Sequence, residues 1–447
     1  MQDLPKNLKN TPILALVFSF LITPVTAHEI KDATFIVYMA ADNDLVRFGD
    51  QNLRQLQAVG STPYINILVQ LDRPGSNETT KRFYVEKNNL VQVNAHDPSG
   101  AQKLDFGNAQ TLIDCFKWVI TEFPARHYYF DFWNHGTGVY DGFGGKAPNA
   151  SELFMFNPTT YMLDINRSIE FFDHLLKKSD TSPYPRGICF NDTFGSYLTS
   201  AKLNYAFKTI MTLLPEGQKI DIIGFDACLM SMIEIGSLLK PYAHIMIGSE
   251  EVELATGWRY DKILEPFLER ALTPIEFAKH IVDTYHASYQ TITNDYTLSA
   301  INLDNLAEAE NALNTIATIL IDVLSHQQNN TATRLIRASR SKRFCTYFAE
   351  PTYIDLQHFL TNLLEAIDFM SLSPEKTYLK QDLATALVSC INALKQTTIA
   401  NKTGKNLMGA QGLSIYFPYK SIEQSYYCTP FANTNSWVAF LKVFLLL

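Results

Sequence analysis

Two short apolar runs, each closed by a turn and each followed within three residues by a reactive side chain, set the frame for this 447-residue chain. The first, His127-Tyr128-Tyr129-Phe130-Asp131-Phe132-Trp133, leads into Asn134-His135-Gly136-Thr137-Gly138. The second, Ile220-Asp221-Ile222-Ile223-Gly224-Phe225, leads into Asp226-Ala227-Cys228-Leu229-Met230. Both are rich in aromatic and β-branched residues, and their near-continuous apolarity predicts strands covered on both faces, as in a parallel sheet. If the two are neighbours, His135 lies two residues past its strand end and Cys228 three past its own. A strand spacing of about 4.8 Å then holds both within a substrate's width. Their shared carboxyl edge is where open α/β sheets place ligand crevices.

A thiolate attacks carbonyl carbon well but leaves an amine that needs a proton, so a hydrolytic Cys requires an imidazole nearby. His135 meets that need near neutral pH. The glycines on either side of Thr137 allow a tight backbone turn that can aim N–H groups at a developing oxyanion. A free Cys is also among the most buried residue types, serving as a small hydrophobe. What sets Cys228 apart is its place after a strand, with a His in the matching place.

At these residues the chain resembles the clostripain family of cysteine endopeptidases, within the wider caspase-like group. The resemblance extends to Thr34-Phe35-Ile36-Val37-Tyr38-Met39-Ala40-Ala41-Asp42-Asn43-Asp44-Leu45 and to Asn191-Asp192-Thr193-Phe194-Gly195-Ser196-Tyr197-Leu198-Thr199. It continues through Gly248-Ser249-Glu250-Glu251, Gly257-Trp258-Arg259-Tyr260, Tyr296 to Ile301, and Gly412-Leu413-Ser414-Ile415-Tyr416-Phe417-Pro418, all in order. It implies an α/β, caspase-like three-layer sandwich with a mostly parallel central sheet and a helix-rich C-terminal portion. It also implies a catalytic dyad of Cys228 as nucleophile and His135 as general acid, an oxyanion hole from the N–H groups of Gly136 and Cys228, and Asp226 lining the pocket for the residue before the cut. A buried carboxylate there favours Arg or Lys, because a desolvated charge must be paired. Asp226 alternatively caps a helix starting near Cys228.

The chain departs from the family pattern where Glu-Pro-Gly-Asp-Gly-Trp becomes Glu253-Leu254-Ala255-Thr256-Gly257-Trp258, so that Thr256 stands in place of an acid. The stretch near 144–190 reads as an insert, with Pro148, Pro158, Pro183 and Pro185 and few strand signals. Relatives often cut themselves between the His and the Cys, which makes Lys146 or Lys177-Lys178 candidate self-cleavage positions. The expected organisation is a signal peptide at 1–27, a peptidase core at 28–302, and a helix-rich portion at 303–447 that returns a strand near 413–417.

The signal peptide is read from Lys6 and Lys9, the apolar stretch Ile13 to Ile22, and Val25-Thr26-Ala27 before His28. It predicts a secreted or periplasmic protein with no membrane association once the leader is removed. Of six Cys, five remain if Cys228 stays free, and none is spaced as a metal or redox pair, so mostly reduced, buried thiols are expected. With 47% apolar residues the chain can bury a large core, and a net charge of −8 without basic runs argues against nucleic acid. Protein or peptide substrates are the expected partners. No cofactor is required by this chemistry. Some clostripain relatives use calcium, and Asp42-Asn43-Asp44 or Glu250-Glu251 with Glu253 are the candidate cation sites, although such loop acids also cap helices or form turns. His127, His174, His244 and His280 lack zinc spacing. A serine α/β hydrolase would need a Gly-x-Ser-x-Gly elbow, and none occurs. A secreted binding protein on a caspase-like scaffold is the remaining alternative.

Overall fold

The computed structural model describes residues 30–95, 98–139, 154–156, 163–165, 187–325, 330–372, 374 and 377–447. Its strands, in chain order, are β1 (Lys31–Ala40), β2 (Ile65–Asp72), β3 (Lys81–Glu86), β4 (Asn89–Gln92), β5 (Ala125–Trp133), β6 (Phe154–Phe156), β7 (Leu163–Ile165), β8 (Ile188–Asn191), β9 (Ser196–Leu198), β10 (Ile220–Asp226), β11 (Ala243–Gly248), β12 (Thr297–Asn302), β13 (Tyr353–Asp355), β14 (Thr398–Thr403) and β15 (Ser414–Tyr416). Nine of them form one sheet in the order β14-β12-β11-β10-β5-β1-β2-β3-β4. The five central strands, β11-β10-β5-β1-β2, run parallel, and the two strands on each flank pair antiparallel.

The parallel core follows from composition. In β1 and β5 the central residues are buried without alternation, which requires cover on both faces. One cover is built from the helices Val46–Val59, Tyr260–Leu264 and Pro274–Tyr289, which pack on one another. The other comprises Ala109–Glu122, Ser200–Ile210 and Ile233–Leu239, continued by the paired long helices Leu306–Ser325 and Thr377–Thr397. The result is a three-layer sandwich. Phe130, Phe132, Phe225 and Phe207 interlock in its core, with Phe132 and Phe225 stacked across the β5–β10 pair at 5.5 Å.

The expected neighbouring of the two apolar runs is observed: β5 and β10 pair in parallel, with Trp133 opposite Asp226. From β1 the chain moves outward to β2 on one side and returns to β5 on the other, which makes the β1/β5/β10 edge the topological switch of the sheet.

Beyond residue 303 helices dominate, and the terminal apolar stretch is a helix, Trp437–Leu445, that buries Trp437, Phe440, Leu441 and Phe444. This portion also returns strands. β14 joins the central sheet beside β12, a placement its sequence, Thr-Ile-Ala-Asn-Lys-Thr, gave no reason to expect. β15 pairs with β13 and touches the main body through a bridge between Ser414 and Met232. Within the stretch near 144–190, β6 and β7 pair with each other, and at its end β8 pairs with β9 just beyond it. The expected signal peptide, His174 and the candidate cleavage positions Lys146, Lys177 and Lys178 lie outside the described residues.

Candidate active site

Four adjacent parallel strands deliver the site from their carboxyl ends. β1 is followed by Asp44, β5 by His135, β10 by Cys228 and β11 by Glu253. His135 and Cys228 therefore sit on neighbouring loops, and both are buried.

The His135 loop is fixed by Asn134. Its side-chain amide donates to the carbonyls of Ala40 and Phe190, its side-chain oxygen accepts from the Phe190 N–H at 2.8 Å, and its backbone N–H reaches Asp226 O. Through its side chain and its backbone N–H, this one residue ties the ends of β1, β5, β8 and β10 together. Behind the loop the Tyr353 hydroxyl donates to Thr137 O at 2.7 Å, so the C-terminal portion supports the His strand. Gly136 passes so close to the Cys228 loop that a Cβ on it would lie 2.5 Å from Cys228 O, which excludes any larger residue. Among the described residues, neither the Gly136 nor the Cys228 N–H donates a hydrogen bond.

His135 Nε2 lies 2.8 Å from Asp44 Oδ1. The carboxylate accepts a hydrogen bond from Nε2–H, which fixes the ring's tautomer and orientation. Sequence reasoning missed this role, having treated Asp44 as part of an acidic string.

Cys228 does not begin a helix. The chain continues through Leu229 in the left-handed region, φ 63°, and the helix starts only at Ile233. A branched aliphatic residue held there is strained, and such strain clusters at functional turns. It also removes the helix-cap role from Asp226. The thiol is reached by the Glu253 N–H, 3.2 Å from Sγ. Burial pushes the Cys228 thiol up, opposed by that N–H, while the charges of Glu253, Glu251 and Asp226 push it further.

Asp226, Cys228, Glu253, Leu254, Ala255 and Gly257 line one cleft. Asp226 Oδ2 accepts from the Trp258 N–H at 3.0 Å. The Tyr260 hydroxyl stands 2.7 Å from both Asp226 Oδ2 and Asp131 Oδ2. A phenol has one proton, so it donates to one carboxyl and accepts from the other, and that other is protonated. Burial raises Asp226 to about 6 and holds Asp131 well above the usual carboxylate range, the latter with a further push from the Asp226 charge. At Gly257, φ 62°, a Cβ would lie 2.5 Å from the Asp226 carboxylate.

The acidic strings disperse among protein partners. Asp42 pairs with Lys103 at 3.2 Å, Asn43 donates to Ala40 O and Phe190 O, and Asp44 holds His135. Glu250 accepts from the Gly412 N–H, Glu251 from the Val252 and Ala349 N–H groups, and Glu253 faces the cleft. Among the described residues no group of three or more His, Cys, Asp or Glu side chains is arranged to hold a metal ion. His127 pairs with Asp221 and His244 with Asp304, and His280 meets Lys262 O, all away from the cleft. All six Cys are free, and only Cys428 is exposed.

A parallel α/β sandwich with a Cys and a His on adjacent strand-end loops defines a caspase-like architecture. The profile of the clostripain family, peptidase family C11, matches residues 37–146 and 167–443, and the chain belongs to that family. It is 22% identical over 284 residues to clostripain of Hathewaya histolytica, a match covering 56% of this chain and 53% of that protein. The chain thus spans about half the length of the curated relative it matches. Among solved structures it is similar to a secreted C11 cysteine protease from Bacteroides thetaiotaomicron bound to an irreversible peptide inhibitor, at 18% identity and TM-score 0.57, covering 92% of this chain and 99% of that one. It is also similar to an inactive zymogen C11 protease from Parabacteroides distasonis, at 18% identity and TM-score 0.57, covering 91% and 98% respectively. These likenesses bear out the caspase-like fold with its largely parallel central sheet.

Proposed function

We propose that this chain is a cysteine endopeptidase that cuts protein or peptide substrates after Arg or Lys. The observation that carries the reading is the placement of His135, held by Asp44, and Cys228 on the loops that follow adjacent parallel strands, with Cys228 lining the cleft. Cys228 Sγ attacks the carbonyl carbon of the bond to be cut. The Gly136 and Cys228 N–H groups, which have no partner among the described residues, receive the developing oxyanion. His135, with Nε2–H held by Asp44, takes the Cys228 thiol proton at Nδ1 and delivers it to the leaving amine. Water then attacks the thioester carbonyl, His135 takes its proton, and the Cys228 thiolate leaves. Asp44 acts as a positioning residue. Asp226 supplies the negative charge that receives the basic side chain.

In the geometry described, the thiol is buried and its ionisation is disfavoured, so attack requires the cleft to open. The activity is assigned to an exported protein. The sequence pattern before His28 and the secreted Bacteroides relative support that assignment, and among the described residues no helix is long and apolar enough to cross a membrane.

The test is covalent labelling. A peptide chloromethyl ketone ending in Arg should add its peptide mass to the fragment containing Cys228, and His135→Ala should slow that labelling. Labelling spread over Cys428 and other thiols, or unaffected by the His135 change, would contradict the reading.

A further inference from the structure

The peptide unit between Cys228 and Leu229 is gripped from two sides. Its carbonyl, Cys228 O, faces the His135 loop so closely that a Cβ on Gly136 would lie 2.5 Å away. Its N–H, on Leu229, donates to Glu251 O at 3.1 Å. That plane fixes where the backbone carries the Cys228 thiol, and it holds Leu229 at φ 63°. A branched aliphatic residue stays in the left-handed region only where its surroundings over-determine it. Two residues on, the Ser231 N–H donates to Ser249 O at 2.9 Å, so residues 229–231 hang from residues 249–251 by two backbone bonds. The Glu253 N–H, on the same loop, meets Cys228 Sγ at 3.2 Å.

The aim of the thiol therefore depends on what holds the 249–253 loop. On the sheet side, the Glu250 and Glu251 N–H groups donate to the Thr297 hydroxyl at 2.9 and 3.2 Å. On the other side, both side chains cross to the C-terminal portion. Glu250 Oε2 accepts from the Gly412 N–H at 3.0 Å, and its carboxyl shares a hydrogen bond with Asp355. Glu251, 7% exposed, uses one oxygen twice: Oε1 accepts from the Val252 N–H at 2.8 Å and from the Ala349 N–H at 2.9 Å. Its carboxylate thus closes the loop on itself and ties it to the segment before β13, while its own carbonyl is the acceptor for Leu229. Backbone N–H bonds to a carboxylate are charge-assisted and stronger than neutral ones.

Resting on the peptidase reading, we infer that Glu251 is a positioning residue for the nucleophile. Its carboxylate fixes its own carbonyl, that carbonyl fixes the Cys228–Leu229 peptide, and the peptide aims the thiol at the substrate. Through Ala349 the C-terminal portion becomes part of what holds Cys228 in place. Among the described residues the cleft lining includes Glu253 and Leu254 but not Glu251, so Glu251 acts on the thiol and not on the substrate. Removing the carboxylate loosens the loop, lets Leu229 leave its strained conformation and turns the thiol aside, with the substrate pocket left intact.

The test compares the parent with Glu251→Ala, Glu251→Asp and Glu251→Gln, each as the full chain. Hydrolysis of an arginine-containing fluorogenic peptide is measured beside amide hydrogen exchange, read by mass spectrometry on overlapping fragments. Glu251→Ala should lower kcat by roughly a hundredfold with KM near the parent value, because a displacement of about 1 Å at a reacting group costs that much. Glu251→Gln, whose amide oxygen can still accept both N–H groups, should recover kcat to within roughly tenfold of the parent, the remainder reflecting a neutral acceptor. Fragments containing Leu229 should exchange at least roughly tenfold faster in Glu251→Ala, while fragments from β1 and β2 stay as in the parent. Should Glu251→Ala fail to fold, Glu251→Asp, which keeps the charge but loses reach, replaces it with smaller effects of the same sign. An unchanged kcat, unchanged exchange at Leu229, or a Glu251→Gln protein as impaired as Glu251→Ala would overturn the assignment. Faster exchange spread evenly over β1 and β2 would overturn it as well, because Glu251 would then serve global stability. If the parent chain hydrolyses nothing, the peptidase reading falls, and the exchange pattern still decides whether Glu251 holds the Cys228 loop.

Discussion

Replacing Asp44 by asparagine tests whether the carboxylate behind His135 is part of the machinery. Asparagine has the same shape but no charge, so the 2.8 Å contact to Nε2 survives geometrically while the charge that supports the imidazolium is lost. A hydrogen bond to a charged group contributes about 1.5–3 kcal/mol. The Asp44 side chain is 28% exposed and the His135 side chain 0%, so solvent screens only one partner, and about 1.5–2.5 kcal/mol is a reasonable span. At about 1.4 kcal/mol per decade, kcat on an arginine-containing fluorogenic peptide should fall roughly tenfold to seventyfold. KM should stay close to the parent value, because Asp44 acts through His135 and touches no part of the substrate cleft. Circular dichroism melting should show little change. An unchanged kcat would refute the positioning argument, and a parallel loss of melting temperature would reassign Asp44 to stability.

Other consequences follow from the same geometry. Gly136→Ala should abolish activity and destabilise the chain, since its Cβ would sit 2.5 Å from Cys228 O, and retained peptide hydrolysis would show that the two loops are more separated than described. Glu234 is buried with Oε1 accepting from the Tyr416 N–H and the Tyr426 hydroxyl, and burial raises it to about 7. Its folded pKa lies above the unfolded value, so its contribution is complete below about pH 4.5 and is lost as pH rises through 7. Glu234→Gln should therefore gain stability relative to the parent between pH 5 and pH 8, by at most roughly 3 kcal/mol in denaturant titrations, and a difference that shrinks with rising pH would contradict the sign. Chelation by EDTA should leave hydrolysis unchanged, because Asp42, Glu250 and Glu251 are committed to protein partners, and a calcium-restorable loss would show otherwise.

The core of the sheet was legible because its strands are buried on both faces and must be written in continuous apolar residues, as β5 and β10 are. His135 and Cys228 were legible because each directly follows such a strand. Asp44 was not, since Asp42-Asn43-Asp44 reads as one acidic turn and only the fold shows that its members face three different partners. Glu253 was hidden in the same way within Glu250 to Glu253. β14 escaped because its six residues are all half-buried and four of them are polar, with neither the alternation nor the apolarity that marks a strand. The late start of the helix after Cys228 depends on Leu229 adopting a positive φ, which nothing in its residue type announces.

The most direct test of the central claim is digestion of a denatured protein by the purified chain beside its Cys228→Ala variant, with the new peptide ends identified by mass spectrometry. The account predicts cuts after Arg or Lys that vanish in the variant. Cuts that persist without Cys228, or no cuts by the parent chain, would contradict it.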